Sequence, residues 1–164
     1  MSLIGRLRLP LVSLVALLAV AGLTVAAASP LSSATGGFSY RTFTPNNIRL
    51  VEGNTIIDYT LTAVWTGTFN GTSIAQGTLI IHADGSTNNH GSDTFTGTVN
   101  GLSGTVTLNE AGPGDSTSFQ STDVIVSGTG DLANLHGVLT AVGTVRPTGL
   151  PFATYTGQIH FDNP

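Results

Sequence analysis

The chain contains no cysteine and no lysine, and only 9% of its residues carry charge. Without thiols there is no cysteine nucleophile, no thiolate metal site, no cysteine-attached haem and no disulfide, so stability has to come from a core and from ladder hydrogen bonds. Without lysine, five arginines face nine acids. Arg6 and Arg8 sit in the N-terminal segment, which leaves three arginines and a net charge of −6 beyond it. Such a domain cannot neutralise a phosphate backbone, which argues against nucleic acid as a partner, and anionic lipid repels it for the same reason. A Gly-x-Ser-x-Gly elbow and a phosphate-binding glycine loop are also missing. No stretch of the domain sustains a helical period.

What is present begins at the N-terminus. Met1–Arg8 holds two arginines and no acid, and Leu9–Ala28 holds no charge and ends in Ala26-Ala27-Ala28. This three-part layout predicts a secretory signal peptide. Ala26 and Ala28 supply the small side chains that cleavage requires, which places the cut after Ala28. An uncleaved anchor is the alternative, since an uncharged run of about 20 residues can cross a bilayer. The second half of the run is rich in Ala and Gly rather than Leu, which favours cleavage. The expected organisation is a signal peptide at 1–28, a flexible lead-in of small polar residues at 29–37 and one β-barrel domain at 38–164. The expected location is secreted or extracytoplasmic, free of the membrane once the signal is removed.

From Phe38 onward apolar and polar residues alternate with period two, the mark of half-buried strands. In Thr55–Trp65 the residues Ile57, Tyr59, Leu61, Ala63 and Trp65 share one face, and Asp58, Thr60 and Thr62 the other. Further strands are predicted at Gly77–Ala83, Asp93–Val99, Leu102–Asn109, Ser118–Val126, Val138–Val145 and Phe152–Phe161, with Phe38–Phe43 and Ile48–Val51 weaker. Asp84-Gly85 and Asn100-Gly101 read as two-residue hairpin turns. Ala111–Asp115 and Arg146–Pro151 read as longer loops, and Asp131–Leu135 as one helical turn capped by Asp131. About eight antiparallel strands with glycines at curl points predict an all-β, up-and-down barrel, since closure removes exposed edges.

Four stretches carry a family likeness: Trp65-Thr-Gly-Thr-Phe-Asn-Gly71, Thr94-Phe-Thr-Gly-Thr-Val-Asn-Gly-Leu-Ser-Gly104, Val126-Ser-Gly-Thr-Gly-Asp-Leu-Ala-Asn-Leu-His-Gly137 and Tyr155-Thr-Gly-Gln-Ile-His-Phe-Asp162. Together they resemble a bacterial domain-of-unknown-function family that is similar to the allene oxide cyclase-like β-barrels, a group to which plant dirigent proteins are also similar. The resemblance implies an eight-stranded antiparallel barrel and transfers no activity.

The histidines are the natural place to look for a metal or a general base. His82, Asp84, His90 and Asp93 flank one predicted hairpin, but a register placing His82 opposite Thr87 and His90 opposite Leu79 separates the imidazoles. Neither a metal nor a cofactor is expected. Asp58 and Asp123 lie on positions alternate to apolar residues and read as surface charges unless those positions face a barrel interior. His160 shares the polar face of the last strand with Thr154, Thr156 and Gln158. The expectation is an exported barrel that binds a small apolar molecule without chemistry of its own, with Tyr59, Trp65, Tyr155 and His160 as candidate ligand-binding residues. No catalytic residue is assigned. The alternatives are a cyclase-like or dirigent-like enzyme acting by substrate positioning, and a structural or adhesive surface module.

Overall fold

The structure, a computed structural model, describes residues 30–145 and 150–162. The expected signal peptide and most of the Arg146–Pro151 loop lie outside the described residues. Eight strands follow one another: β1 (Ser32–Val51), β2 (Asn54–Gly67), β3 (Phe69–Ile81), β4 (Thr87–Val99), β5 (Leu102–Gly114), β6 (Ser118–Gly128), β7 (Leu135–Thr144) and β8 (Phe152–Phe161). Each pairs with its neighbour in sequence, and β1 pairs antiparallel with β8, closing the expected up-and-down barrel.

The strands are longer than the alternation alone suggests. β1 opens at Ser32, so most of the expected lead-in is sheet: Ser32–Ser39 pairs with Ile159–Phe152 of β8, and Ala34 is fully buried. Its small residues are there because the Tyr155 ring lies against Gly36, where a Cβ would collide with it. The second half of β1 pairs only with β2, with register shifts at Tyr40/Thr42 and Pro45/Asn47. Pro45 is tolerated there because an edge strand requires no donor on its open side. Ala111–Gly114, read as loop, belongs to β5 and pairs with His90–Thr87. The turn shrinks to Asp115–Thr117, where Asp115 Oδ1 accepts from the Thr117 and Ser118 amides at 2.6 and 2.9 Å.

The Asn100-Gly101 turn forms as read, with φ of 51° and 86°, the left-handed pair that a tight hairpin turn demands. The helical turn is a single 3-10 turn at Gly130–Leu132, whose N-cap is Thr129 and not Asp131. The Asp131 carboxylate instead accepts the Ser103 amide at 3.3 Å, pinning the turn to β5.

The barrel has two unlike ends. At the lower end, where β2 meets β3, β4 meets β5 and β6 meets β7, the interior is filled by Phe69, Phe95, Val99, Leu132 and Leu135, all almost fully buried. Phe69 and Phe95 meet edge to face at 5.3 Å, and Tyr155 meets Phe69 edge to face at 5.8 Å. The Tyr155 hydroxyl accepts the Phe69 amide at 2.9 Å and donates to the Thr66 carbonyl at 3.2 Å, closing the β2–β3 connection from inside. Full burial of each such aromatic or leucine side chain contributes about 2 kcal/mol, enough to make this end a solid floor. Above the floor the interior changes character.

Candidate functional site

One row of paired residues crosses the upper interior: Tyr59 on β2 faces Gly77 on β3, Gly77 faces Gly91 on β4, Gly91 faces Glu110 on β5, and Glu110 faces Asp123 on β6. Directly opposed residues have Cβ atoms about 5 Å apart, so Glu110 and Asp123 are immediate neighbours inside the barrel. Gly77 leaves a gap that the Tyr59 ring fills. A Cβ on Gly77 would lie 2.7 Å from the Tyr59 hydroxyl oxygen. Lying across that gap, Tyr59 donates its hydroxyl to Glu110 Oε1 at 3.0 Å.

A third acid joins from below. Asp93 on β4 pairs with Leu108 on β5, which places it two residues from the Glu110 row on the same inner face. It ends a relay in which Trp65 Nε1 donates to Ser73 Oγ at 2.9 Å and Ser73 Oγ donates to Asp93 Oδ2 at 2.9 Å. Asp93 is 6% exposed and Asp123 3%. Asp93 Oδ1 and Asp123 Oδ1 are buried with no hydrogen-bond partner. Phe38, Tyr40, Trp65 and Leu108 complete the wall of a small cavity that all three acids line, with a volume of about 10 Å³. That is room for about one water.

No described cation offsets these acids. Arg41 and Arg49 are both exposed, and Arg49 is paired with Asp58 at 3.0 Å on the outside of the barrel. Burial therefore dominates the proton affinities, because an isolated charge is costly away from water. Desolvation, reinforced by Asp123, raises the Asp93 carboxyl to about 6. Desolvation raises Glu110 to about 7, with Asp93 adding to it and the Tyr59 hydrogen bond opposing it. Asp123 also rises to about 7, from desolvation first and the Glu110 charge in addition, against a hydrogen bond from Ser121. Burial and the neighbouring Glu110 likewise push the Tyr40 and Tyr59 hydroxyls well above their ordinary range, so both stay neutral donors. The site gathers three acids whose carboxyls burial raises toward neutrality.

The candidates named from sequence divide. Trp65 lines the cavity, and Tyr59 sits behind it holding Glu110. Tyr155 belongs to the floor, with its hydroxyl spent on backbone groups. His160 lies on the outer face at the lower end, across from His136, and both imidazoles reach Asp162, at 3.4 and 3.2 Å. Asp58 faces out as read, whereas Asp123 faces in. The β3–β4 hairpin register differs by one residue from the expected one, pairing Ile81 with Thr87 and Thr78 with His90. His82 thus falls outside the ladder and bonds to Asn54 and Asn88. Among the described residues no group of three His, Asp or Glu side chains is arranged to hold a metal ion.

Asp93 and Glu110 as interior acids do not emerge from residue type or motif. Their signal is phase: Glu110 alternates in step with Val106 and Leu108, and Asp93 in step with Phe95 and Val99. An acid in phase with core residues points inward.

Comparison with known proteins places this barrel. A family described as protein of unknown function (DUF3224) matches residues 34–146, from the first buried residue of β1 to just beyond β7. The chain belongs to the DUF3224 family. A solved structure of a DUF3224 protein of unknown function from Shewanella oneidensis MR-1 superposes with a TM-score of 0.66 at 22% identity, covering 82% of this chain and all of that one. The pterocarpan synthase dirigent protein GePTS1 superposes with a TM-score of 0.50 at 16% identity, covering 86% of this chain and 96% of its own. At such identities the likeness is one of fold, and it joins the DUF3224 barrel to the dirigent-like architecture. No curated protein matches the chain.

Proposed function

We propose that this protein binds a small molecule at the upper cavity of its barrel, and that the molecule combines an apolar or aromatic body with hydrogen-bond donors. The observation that carries this reading is the pair of orphaned oxygens, Asp93 Oδ1 and Asp123 Oδ1, buried on a cavity otherwise walled by Phe38, Tyr40 and Trp65. A buried acceptor left unpaired costs about 1–3 kcal/mol, so two of them beside aromatic rings favour an incoming donor. The body of the ligand would lie against the aromatic residues next to the cavity, where Tyr40 stacks on Phe119 with ring centres 6.0 Å apart and Phe43 packs on Tyr59 with ring centres 5.3 Å apart. A purely apolar ligand would leave the acids unsatisfied.

Trp65 is the only tryptophan in the sequence and lines this cavity, so its emission reports on it. Titration of the purified protein with benzyl alcohol and benzylamine is expected to give a saturable change in Trp65 emission. Flat emission for both, with no change in melting temperature, counts against the proposal.

A second reading is favoured by the same acids. Carboxyls titrating near neutrality exist in both protonation states, as a general acid or base requires, so the barrel would position a substrate and move a proton in the manner of a cyclase. Asp123→Asn would then abolish turnover while leaving ligand affinity within about an order of magnitude.

We also propose that residues 1–28 export the domain and are removed after Ala28. The support is the Arg6/Arg8 start, the uncharged run and the alanines at 26 and 28. N-terminal sequencing of protein secreted by the native host should begin at Ser29; a chain beginning at Met1 in the membrane fraction would favour the anchor.

A further inference from the structure

Resting on the small-molecule reading, we propose that the group this cavity accepts is a primary ammonium, which makes the barrel a receptor for a small organic amine. Four features converge on that chemistry. The cavity gathers three carboxyl groups, and among the described residues no cation reaches it: Arg41 and Arg49 are exposed, and the inner residues of β7 and β8 beside it are Leu139, Ala141, Ala153 and Tyr155. The titratable groups facing it are Tyr40 from β1, Tyr59 from β2, Asp93 from β4, Glu110 from β5 and Asp123 from β6, none of which can carry positive charge.

The second feature is the donor count. An ammonium carries three N–H donors and no acceptor. Asp93 Oδ1 and Asp123 Oδ1 are two buried acceptors awaiting donors, while Glu110 already takes one from Tyr59. A hydroxyl brings only one donor and leaves an orphan behind. The third feature is the aromatic wall, since Phe38, Tyr40 and Trp65 line the cavity and aromatic rings attract cations. Phe38 and Trp65 already lie with ring centres 4.5 Å apart. The fourth is size: a cavity of about 10 Å³ takes a group as large as one water. An –NH3⁺ head fits that space and a trimethylammonium head does not.

Binding such a cation must expel protons. In the free site the acids hold protons near neutrality, and a bound ammonium favours their ionised forms. Affinity therefore rises with pH through the range where the acids titrate and falls below it.

The test is isothermal titration calorimetry of the purified protein with benzylamine, benzyl alcohol and benzyltrimethylammonium, in two buffers of different ionisation enthalpy, with Trp65 emission as a second readout. Benzylamine is expected to bind at least about tenfold more tightly than benzyl alcohol at about pH 7.5, to release protons, and to weaken by about tenfold or more toward about pH 5. The trimethyl compound should not bind. Asp93→Asn and Asp123→Asn should each weaken benzylamine by about tenfold and leave benzyl alcohol within about twofold. Equal affinity for amine and alcohol, or an amine affinity that ignores pH, overturns the ammonium inference and leaves the small-molecule site standing. Binding of the alcohol but not the amine does the same. No heat and no Trp65 response from any probe overturns both.

Discussion

Replacing Asp123 by Asn removes a buried carboxyl while nearly preserving its shape, and the consequence depends on pH in a way the structure fixes. Asp123 is 3% exposed, so solvent screening gives little relief. Its carboxyl is raised from 3.8 to about 7, chiefly through desolvation. A tenfold change in proton affinity corresponds to about 1.4 kcal/mol, so ionising this group inside the fold costs about 4 kcal/mol as an upper bound. Relaxation of the surrounding structure reduces that to about 2 kcal/mol. The sign follows from proton binding: between the unfolded and folded values the native state holds more protons than the unfolded chain, so stability falls as pH rises. Wild type should lose stability between about pH 4 and about pH 7, and Asp123→Asn should lose less of it. Urea denaturation at about pH 4 and about pH 8 checks this: the variant should match wild type within about 0.5 kcal/mol at the lower pH and exceed it by about 2 kcal/mol at the higher. A variant less stable than wild type at the higher pH, or equally stabilised at both, would refute the reasoning, because the carboxyl would then be a satisfied structural group.

Two substitutions test the framework that holds the acids. Gly77→Ala would press a Cβ against the Tyr59 hydroxyl oxygen at 2.7 Å and the His90 carbonyl at 2.6 Å; it should cost about 1–3 kcal/mol by thermal denaturation, and a change under about 0.5 kcal/mol would show that Tyr59 does not lie across the glycine gap. Tyr155→Phe strips the Phe69 amide of its buried acceptor and should cost about 1–3 kcal/mol with no effect on Trp65-detected binding; loss of binding in a folded variant would move Tyr155 from the floor into the site.

The architecture was legible because most strands alternate cleanly: Ile57, Tyr59, Leu61, Ala63 and Trp65 on β2 point inward, and β8 has the limits the pattern predicts. The strand ends were hidden wherever glycine did a packing job instead of a turn job. Gly36 lies under Tyr155, so the small polar stretch that reads as a lead-in is the start of β1 beneath an aromatic ring. The site was hidden by a second inversion. On β6 and β7 the valines Val124, Val126, Val138 and Val142 face outward, while Ser121 and Asp123 face inward. Reading Asp123 against its valine neighbours therefore assigns it to water. Reading it in step with Ile125 puts it in the core, and the same phase argument finds Asp93 and Glu110. His160 draws notice as a histidine on the polar face of the last strand, and the closure of β7 on β8 places that face outside, beside His136.

Three uncompensated carboxyls share the upper interior of this barrel. Carbon-detected NMR titration of the Asp and Glu carboxyl resonances reads them one by one. Asp93 should titrate near 6 and Glu110 and Asp123 near 7, with Asp58, Asp84 and Asp115 below the ordinary aspartate value because hydrogen bonds stabilise their charged forms. Titration of Asp93, Glu110 and Asp123 at ordinary carboxylate values, about 4, would show that water or a cation reaches them and would contradict that arrangement.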